Sequence, residues 1–560
     1  LRFAQFADCP YGRGPIHEIL DGKLSSSTYG QTNSNQDKTI PLVLRSSCER
    51  NEHRIALKDD TRSMSYAEVY ETVRRLCGGF HRIGLTRGKT AFVMLDNHVD
   101  YLLNWFGLSF IGAVEVPANT AYRGSWLAHV VADSGAELAV VENHYYDRLV
   151  AIADQVPALK KVVIRGPQLS PIDARWEHLS FELLLASPPE DPIDVKSWEP
   201  TSILYTSGTT GVSKGVLIPH ALAYADAHPE YTLGSLPGDT LMGTQPLFHG
   251  GGHWSAYNAL IVGATAYIMP KFHATNFWEI ANRQGCTFAP LVGAMASFLY
   301  RQPPRAADRE HRIRRIRMTP VMPEVDDFKR RFGVDVGSGY GLTEGGNPIC
   351  APVGKAVPGG CGWLRPDYEA QLVDENDYEV LPGQPGELLL RPKLPWTTML
   401  GYQGLPEKST EIWRNLWLHT GDLMTQDADG QYFFVDRLKD AIRRRGENVS
   451  SYELEREINS HPMIQESAVV GVASEHTEQE IKAVVLLRQG MALSAPDLIA
   501  YLEPRLPNFM LPRYVEFVDD LPRTPTERVR KQVLRDRPNP AGTWDRLAQS
   551  GRESTPESGN

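Results

Sequence analysis

The sequence predicts an α/β fold in two parts, a large N-terminal domain and a small α+β C-terminal one. Three observations carry that expectation. The chain has 560 residues, too many for a single ordinary core. From Ile40 onward, apolar runs of strand length alternate with apolar runs of helix length, the pattern of an α/β domain with substantial parallel pairing. After about residue 437 a shorter set of helix and strand signals begins again. The expected layout is a polar arm over 1–38, a large domain over 39–436, a small domain over 437–538 and a disordered Pro-, Gly- and Ser-rich tail over 539–560.

The arm contains SSSTYGQTNSNQ, which has little to bury. Residues 56–66 read as a hairpin whose last serine, Ser65, caps the helix that follows. A strand at 91–95, an apolar helix at 99–111 and a strand at 113–117 come next, and residues 119–136 are assigned to packing. Ser-Ile-Leu-Tyr before residue 206 and Val-Leu-Ile after 215 are strands flanking a loop. The run PLFHGGGH, 246–253, reads as a loop entering a helix at Trp254, because three glycines oppose a helix. Residues 287–300 form a strand entering an apolar helix. In the small domain, helices are expected at 452–460 and 496–506, with strands at 467–472 and 483–487.

Composition removes several functions. A net charge of −10 argues against a nucleic-acid binder, whose footprint would be basic. The six cysteines contain no C-x-x-C pair, which fits reduced thiols in a cytoplasmic enzyme better than a disulfide frame or a zinc site. No apolar run reaches the length of a membrane span, and the N-terminus lacks a signal-peptide core.

The densest chemistry lies between Tyr205 and Gly215, YTSGTTGVSKG. The hydroxyls of Thr206, Ser207, Thr209 and Thr210, three glycines including Gly208, and Lys214 share one short loop. Glycines let backbone N–H groups close on an anion, and hydroxyls and an ammonium add donors, as polyphosphate binding requires. The spacing is not that of a Walker A loop. An ordinary hairpin turn is the bland alternative. Further on, GSGYGLTE places Gly339, Tyr340, Gly341, Thr343 and Glu344 together: close approach, a stacking face and hard oxygen ligands. LHTGDL puts Asp422 in a tight turn, while Asp427 and Asp429 read as a solvated hairpin. Arg437, Lys439 and Asp440 precede an arginine run, Arg443 to Arg445, then Gly446. His249 and His253 are four apart, but the glutamate of H-E-x-x-H is missing.

These motifs, in this order, resemble the adenylate-forming superfamily of acyl-CoA synthetases, peptide-synthetase adenylation domains and beetle luciferases, over about 40–535. The wording of 287–300 is closest to carnitine-type CoA ligases. The resemblance implies a mobile C-terminal lid and ATP- and Mg²⁺-dependent activation of a carboxylate as acyl-AMP, followed by transfer to a thiol, in the first place that of CoA. It implies that the 205–215 loop and Thr343 meet the phosphates, Glu344 holds Mg²⁺, and Asp422 and Arg437 meet the ribose. His249 would guard the thiol route, Lys439 and Asp440 would form the hinge, and Arg443, Arg445 and Gly446 would face acyl-adenylate or CoA. His253 is left as structural.

The chain departs from that pattern twice. Arg317-Met-Thr-Pro-Val321 stands where the family has a glycine-pair adenine loop, and Arg528 stands where it has the lysine of adenylation. A guanidinium is longer and planar and delivers charge differently from an ammonium. Lys531, three residues on in an extended segment, faces the opposite side and does not substitute. Three explanations remain open: arginine does the lysine's job, the substrate is a different oxyanion, or adenylation is lost. The rival functions are a ligase with a nitrogen acceptor or one activating nitrite, and a nucleotide- or acyl-binding protein without turnover.

Overall fold

The computed structural model describes residues 38–167, 171–206, 213–228, 234–438, 440–444, 447–473, 479–524 and 528–550. The large domain is built on two sheets. One has seven strands, parallel throughout except for its last hairpin. It contains β1 (Val114–Pro117) and ends with the hairpin β2 (Pro200–Thr206) and β3 (Lys214–Pro219). The helix α1 (His220–Ala227) follows directly.

The second sheet has thirteen strands. Its parallel part holds β4 (Phe288–Val292), β5 (Arg315–Thr319) and β6 (Asp335–Leu342) in sequence order. From β6 the pairing turns antiparallel, through β7 (Gly346–Ala351) and out to β8 (Leu418–Gln426) and β9 (Tyr432–Arg437). The helix Val99–Phe110 lies within the domain with all twelve residues buried. A helix apolar all round needs such a place, and its Trp105 Nε1 donates to Ser202 Oγ on β2 at 3.1 Å. The hairpin at 55–65 and the Ser65 cap are both present, the cap as a reciprocal box with Glu68.

Four expectations change. The helix α2 spans Gly250–Val262, so the glycine run lies inside it, with His249 at the N-cap. A Cβ at Gly252 would collide with the Pro246 carbonyl, and one at Gly251 with the Gln245 side chain. The glycines permit close packing of that first turn rather than ending the helix. The GSGYG stretch is itself strand β6, and Asp422 sits within strand β8, next to Gly421 at φ +69°, rather than in a tight turn. The segment beyond Pro538 is structured as far as Ser550: Trp544–Asp545 pairs with Tyr514–Val518, and Arg546–Ser550 is helical. Residues 1–37 and 551–560 lie outside the described part.

The small domain carries α3 (Ser451–Asn459) and a sheet of β10 (Ile464–Ala473), β11 (Gln479–Leu487), β12 (Tyr514–Val518) and β13 (Trp544–Asp545). Leu454 and Ile458 of α3 pack on Val469, Ile481 and Leu498. In the arginine run, Arg444 is fully buried, 2.7 Å from Glu480 and donating to the Leu511 carbonyl at 2.9 Å. Strand alternation therefore turns the middle arginine inward, so the run is not simply a solvated edge.

One buried group gives a stability prediction. His220 is 1% exposed, and its Nδ1 accepts the Ile40 N–H at 3.3 Å. Burial pushes its pKa from 6.5 down to about 4, against the pull of Glu199. Between those values the unfolded chain binds a proton the folded chain excludes. Stability present in full above pH 6.5 is thus lost as pH falls towards 4, by about 3 kcal/mol from this group. Asp226, raised to about 7 by burial, acts in the opposite sense over that window. The informative quantity is therefore the difference between wild type and His220→Asn, whose Oδ1 can still accept the N–H. Denaturant titrations should show a shallower acid loss in the variant. Parallel curves for the two proteins would contradict this assignment.

Candidate active site

A cleft of about 2450 Å³ opens between the two domains. Thr206, Lys214, His249, Gly341, Thr343, Glu344, Arg437 and Arg528 all line it. Residues from β2, β3, β6, β9 and the small domain thus converge on one space. Gly339, Tyr340 and Asp422 are not part of the lining but stand one layer behind it. Ser207, Gly208, Thr209, Thr210, Lys439, Arg445 and Gly446 lie outside the described residues, as does the Arg443 side chain.

On one wall, the Lys214 ammonium sits 4.1 Å from the ring centre of Tyr402. The Tyr402 hydroxyl donates to Glu344 Oε1 at 2.9 Å. Burial and the Glu344 carboxylate push the Tyr402 phenol up. Backbone bonds fix the arrangement: Gln403 N–H donates to the Gly215 carbonyl at 2.7 Å, and Met399 N–H to the Glu344 carbonyl at 2.9 Å. Sequence reading missed Tyr402, because no local spacing marks it and its neighbours here are nearly 60 and 190 residues away. Thr343 and Glu344 offer a hydroxyl and a carboxylate facing the cleft, a donor set that suits Mg²⁺ completed by substrate phosphates.

Behind the lining, Tyr340 donates its hydroxyl to Asp422 Oδ2 at 2.6 Å, and Arg437 Nε lies 2.7 Å from Asp422 Oδ1. Burial first, then Asp422, raises the Tyr340 phenol. The ring packs with Ile349, Leu388 and Leu418 instead of presenting its face to the cleft. The stacking face expected of Tyr340 is occupied by core.

On the opposite wall, His249 faces the cleft from the N-cap of α2. Its pKa is pushed down to about 4 by its surroundings, then by the charges of Arg528 and His253, so the imidazole is neutral at ordinary pH. Its helical neighbour His253 is buried, Nε2 2.9 Å from Glu115 of β1, and edge-on to Trp105 at 4.6 Å. Arg528 reaches the same space from the small domain. Burial of its guanidinium in the cleft, then Arg437, lower its pKa, while Asp422 opposes them. The Thr524 N–H donates to the Arg528 carbonyl at 2.7 Å. Lys531 also borders this cleft and, rather than lying in an extended segment, opens the helix Lys531–Asp536, with its Nζ 2.6 Å from Ser451 Oγ and 2.8 Å from Glu455 Oε1.

The cleft floor is polar. Asp226 of α1, Arg317 of β5 and Asn347 of β7 line it, beside Trp254 and Phe288. Asn347 links the group. Its N–H donates to Asp226 Oδ1 at 2.8 Å, its Oδ1 accepts from Arg317 Nη2 at 2.9 Å, and its carbonyl accepts from Arg365 Nη1 at 3.1 Å. Arg365 in turn is bidentate to Asp367, at 3.0 and 2.7 Å.

The model of the AMP-binding enzyme family matches residues 44–403, and that of the AMP-binding enzyme C-terminal domain matches 453–528. A crotonobetaine/carnitine–CoA ligase of Salmonella typhimurium is 32% identical over 487 residues, covering 85% of this chain and 93% of its own. Among solved structures, ATP-bound MatB from Rhodopseudomonas palustris aligns with a TM-score of 0.78 at 26% identity, covering 89% of this chain and 98% of MatB. A benzoate CoA ligase from Burkholderia xenovorans aligns at 0.78 and 25%, covering 89% and 100%. No helix among the described residues is long and apolar enough to cross a membrane. With its motifs gathered round one interdomain cleft and both family models matched in order, this chain belongs to the AMP-binding enzyme family of adenylate-forming proteins and is an AMP-forming ligase.

Proposed function

We propose that the chain activates a carboxylic acid with ATP and passes the acyl group to the thiol of CoA. The observation that carries this reading is the convergence of Lys214, Arg437 and Arg528 with Glu344 and Thr343 on one cleft. Three cations and a metal-competent carboxylate suit a polyphosphate whose charge shifts during reaction. In the first step a carboxylate oxygen attacks the α-phosphorus, the bond to the β-phosphate bridge breaks, and pyrophosphate leaves. Lys214, and Arg528 from the lid, neutralise the charge that builds on the phosphoryl oxygens and hold the two reactants in line. Glu344, with Thr343, would hold Mg²⁺, which supplies further neutralisation of the phosphates when bound. In the second step the CoA sulfur attacks the acyl carbon and AMP departs with the electron pair.

His249, neutral and facing the cleft, suits a gate on the thiol route, since an uncharged ring can be displaced without stranding a charge. Asp422 and Arg437, already paired and rigid, suit the ribose. On this reading the large domain is 39–436, and the lid begins at 437 and runs at least to Ser550. The lid turns about Lys439 and Asp440 between the two steps, so that Arg443, Arg445 and Gly446 replace Arg528 at the cleft.

The test is pyrophosphate release over a panel of acids, with thioester formation scored on adding CoA. Lys214→Ala and Glu344→Gln should each slow release by roughly 100-fold, as loss of a charge-stabilising group does. Glu344→Gln should also weaken the Mg²⁺ dependence of ATP binding. Wild-type release in either variant would move the phosphate site elsewhere.

A further inference from the structure

This inference rests on acid activation as proposed above and concerns which acid is activated. Successive side chains of a strand point to opposite faces. On β6, Tyr340 points towards Asp422, so Gly339 and Gly341 open the other face. Arg317 and Asn347 lie against that other face. A Cβ at Gly339 would come 3.2 Å from Arg317 Nη2, and one at Gly341 would collide with Asn347 Oδ1. The two glycines therefore leave room for a guanidinium at the cleft floor, on the side of the strand away from Tyr340 and Asp422.

Arg317 has five N–H donors, and Asn347 Oδ1 takes one of them. No carboxylate among the described residues comes within the 4.0 Å of an ion pair with it. The charged groups that act on it are Asp226 and Arg365. Asp226 accepts from the Asn347 N–H, and Arg365 is committed to Asp367. A guanidinium withdrawn from bulk water without a carboxylate is costly, and a planar bidentate anion is the partner that fits its fork best. Trp254 and Phe288, apolar, line the same cleft and suit a short methylene chain.

We propose that the acid activated here is a short dicarboxylic acid, whose far carboxylate is held by Arg317 at the cleft floor while the near carboxylate reacts. The same arginine opposes a quaternary-ammonium tail, the kind a betaine carries, because it would meet a cation in a confined space. Arg317 thus acts as a specificity residue, and the replacement of the family's glycine-pair loop by Arg317-Met-Thr-Pro gains a physical reason.

The experiment uses the full chain with ATP, Mg²⁺ and matched acids: glutarate against pentanoate, adipate against hexanoate, and γ-trimethylammonium butanoate. In pyrophosphate release, each diacid should exceed its monoacid in kcat/KM by roughly 100-fold, since a site built to bond a polar group strongly rejects the analogue lacking it. Arg317→Met should reverse that order, lowering the diacids and sparing or raising the monoacids, and Arg317→Lys should fall between. Equal use of each pair by wild type, or preference for the ammonium acid, overturns the proposal. So does an Arg317→Met variant that loses all acids alike, which would mark a structural role. Should that variant fail to fold, the wild-type panel decides alone. If monoacids release pyrophosphate and diacids do not, this inference falls and acid activation stands; if no acid does, both fall.

Discussion

Arg528→Ala is expected to depress acyl-adenylate formation by roughly 100-fold, while thioester formation from supplied acyl-AMP stays within a few-fold of wild type. The asymmetry follows from where the charge is needed. Arg528 enters the cleft from the small domain, close enough for its charge to act on His249 and to feel Arg437 and Asp422. During adenylation, negative charge grows on the α-phosphoryl group, and a guanidinium fixed beside it stabilises that charge at no reorganisation cost. Once acyl-AMP exists and the lid has turned, that contribution is spent. Arg528→Lys separates the explanations for its presence. If arginine merely fills the lysine's place, lysine should keep or raise the rate; if the fork is required, lysine should lower it with the preferred acid. Lys531 borders the cleft too, but its ammonium is already engaged by Ser451 and Glu455, so it is not expected to cover for either variant. Unchanged adenylation in Arg528→Ala would remove this residue from the mechanism.

Much of the scaffold was legible because its signals are local. Ser65 and Glu68 three residues on specify a capping box, and the strands flanking 206–213 follow from β-branched and aliphatic runs. Where chemistry and spacing coincide, as in Lys214, Thr343, Glu344 and Arg437, the residues the sequence singles out line one cleft. The misreadings share one cause: a propensity was applied where tertiary packing decides. Glycines at 250–252 argue against a helix on propensity, yet the first turn of α2 lies so close to residues 245–246 that side chains there would collide. Tyr340 has a ring fit for stacking, but Leu388, Leu418 and Ile349 from other strands claim it. Arg444 belongs to a charged run and is nevertheless core, because Glu480 waits on the neighbouring strand β11. Tyr402 and the Arg317–Asn347–Asp226 floor had no local signal at all, being assembled from elements that meet only in the folded domain.

Lys439→Pro is expected to cut transfer from acyl-AMP to CoA by roughly 100-fold, with adenylate formation held within a few-fold, because proline fixes φ at the proposed pivot. The described residues on either side of Lys439 are tied to their surroundings. The Arg437 carbonyl accepts the N–H groups of both Asp440 and Ala441 at 2.9 Å, and Leu438 N–H donates to the Gly421 carbonyl at 2.8 Å. Asp440 Oδ1 meets Arg535 Nη2 of the small domain at 2.9 Å, beside the proposed pivot. Asp436 holds α3 through the Ser451 N–H and hydroxyl, at 2.6 and 2.7 Å, and the Ser450 hydroxyl donates to the Val435 carbonyl at 2.6 Å. On the proposed pivot, a fixed φ is expected to obstruct the change from one orientation to the other. Lys439→Ala is the control: it removes the charge but keeps backbone freedom, and both half-reactions should survive. Single-turnover measurement of each step decides the matter. Equal losses in both steps for the proline variant, or a transfer defect as large in the alanine variant, would show that the lid does not turn about this residue.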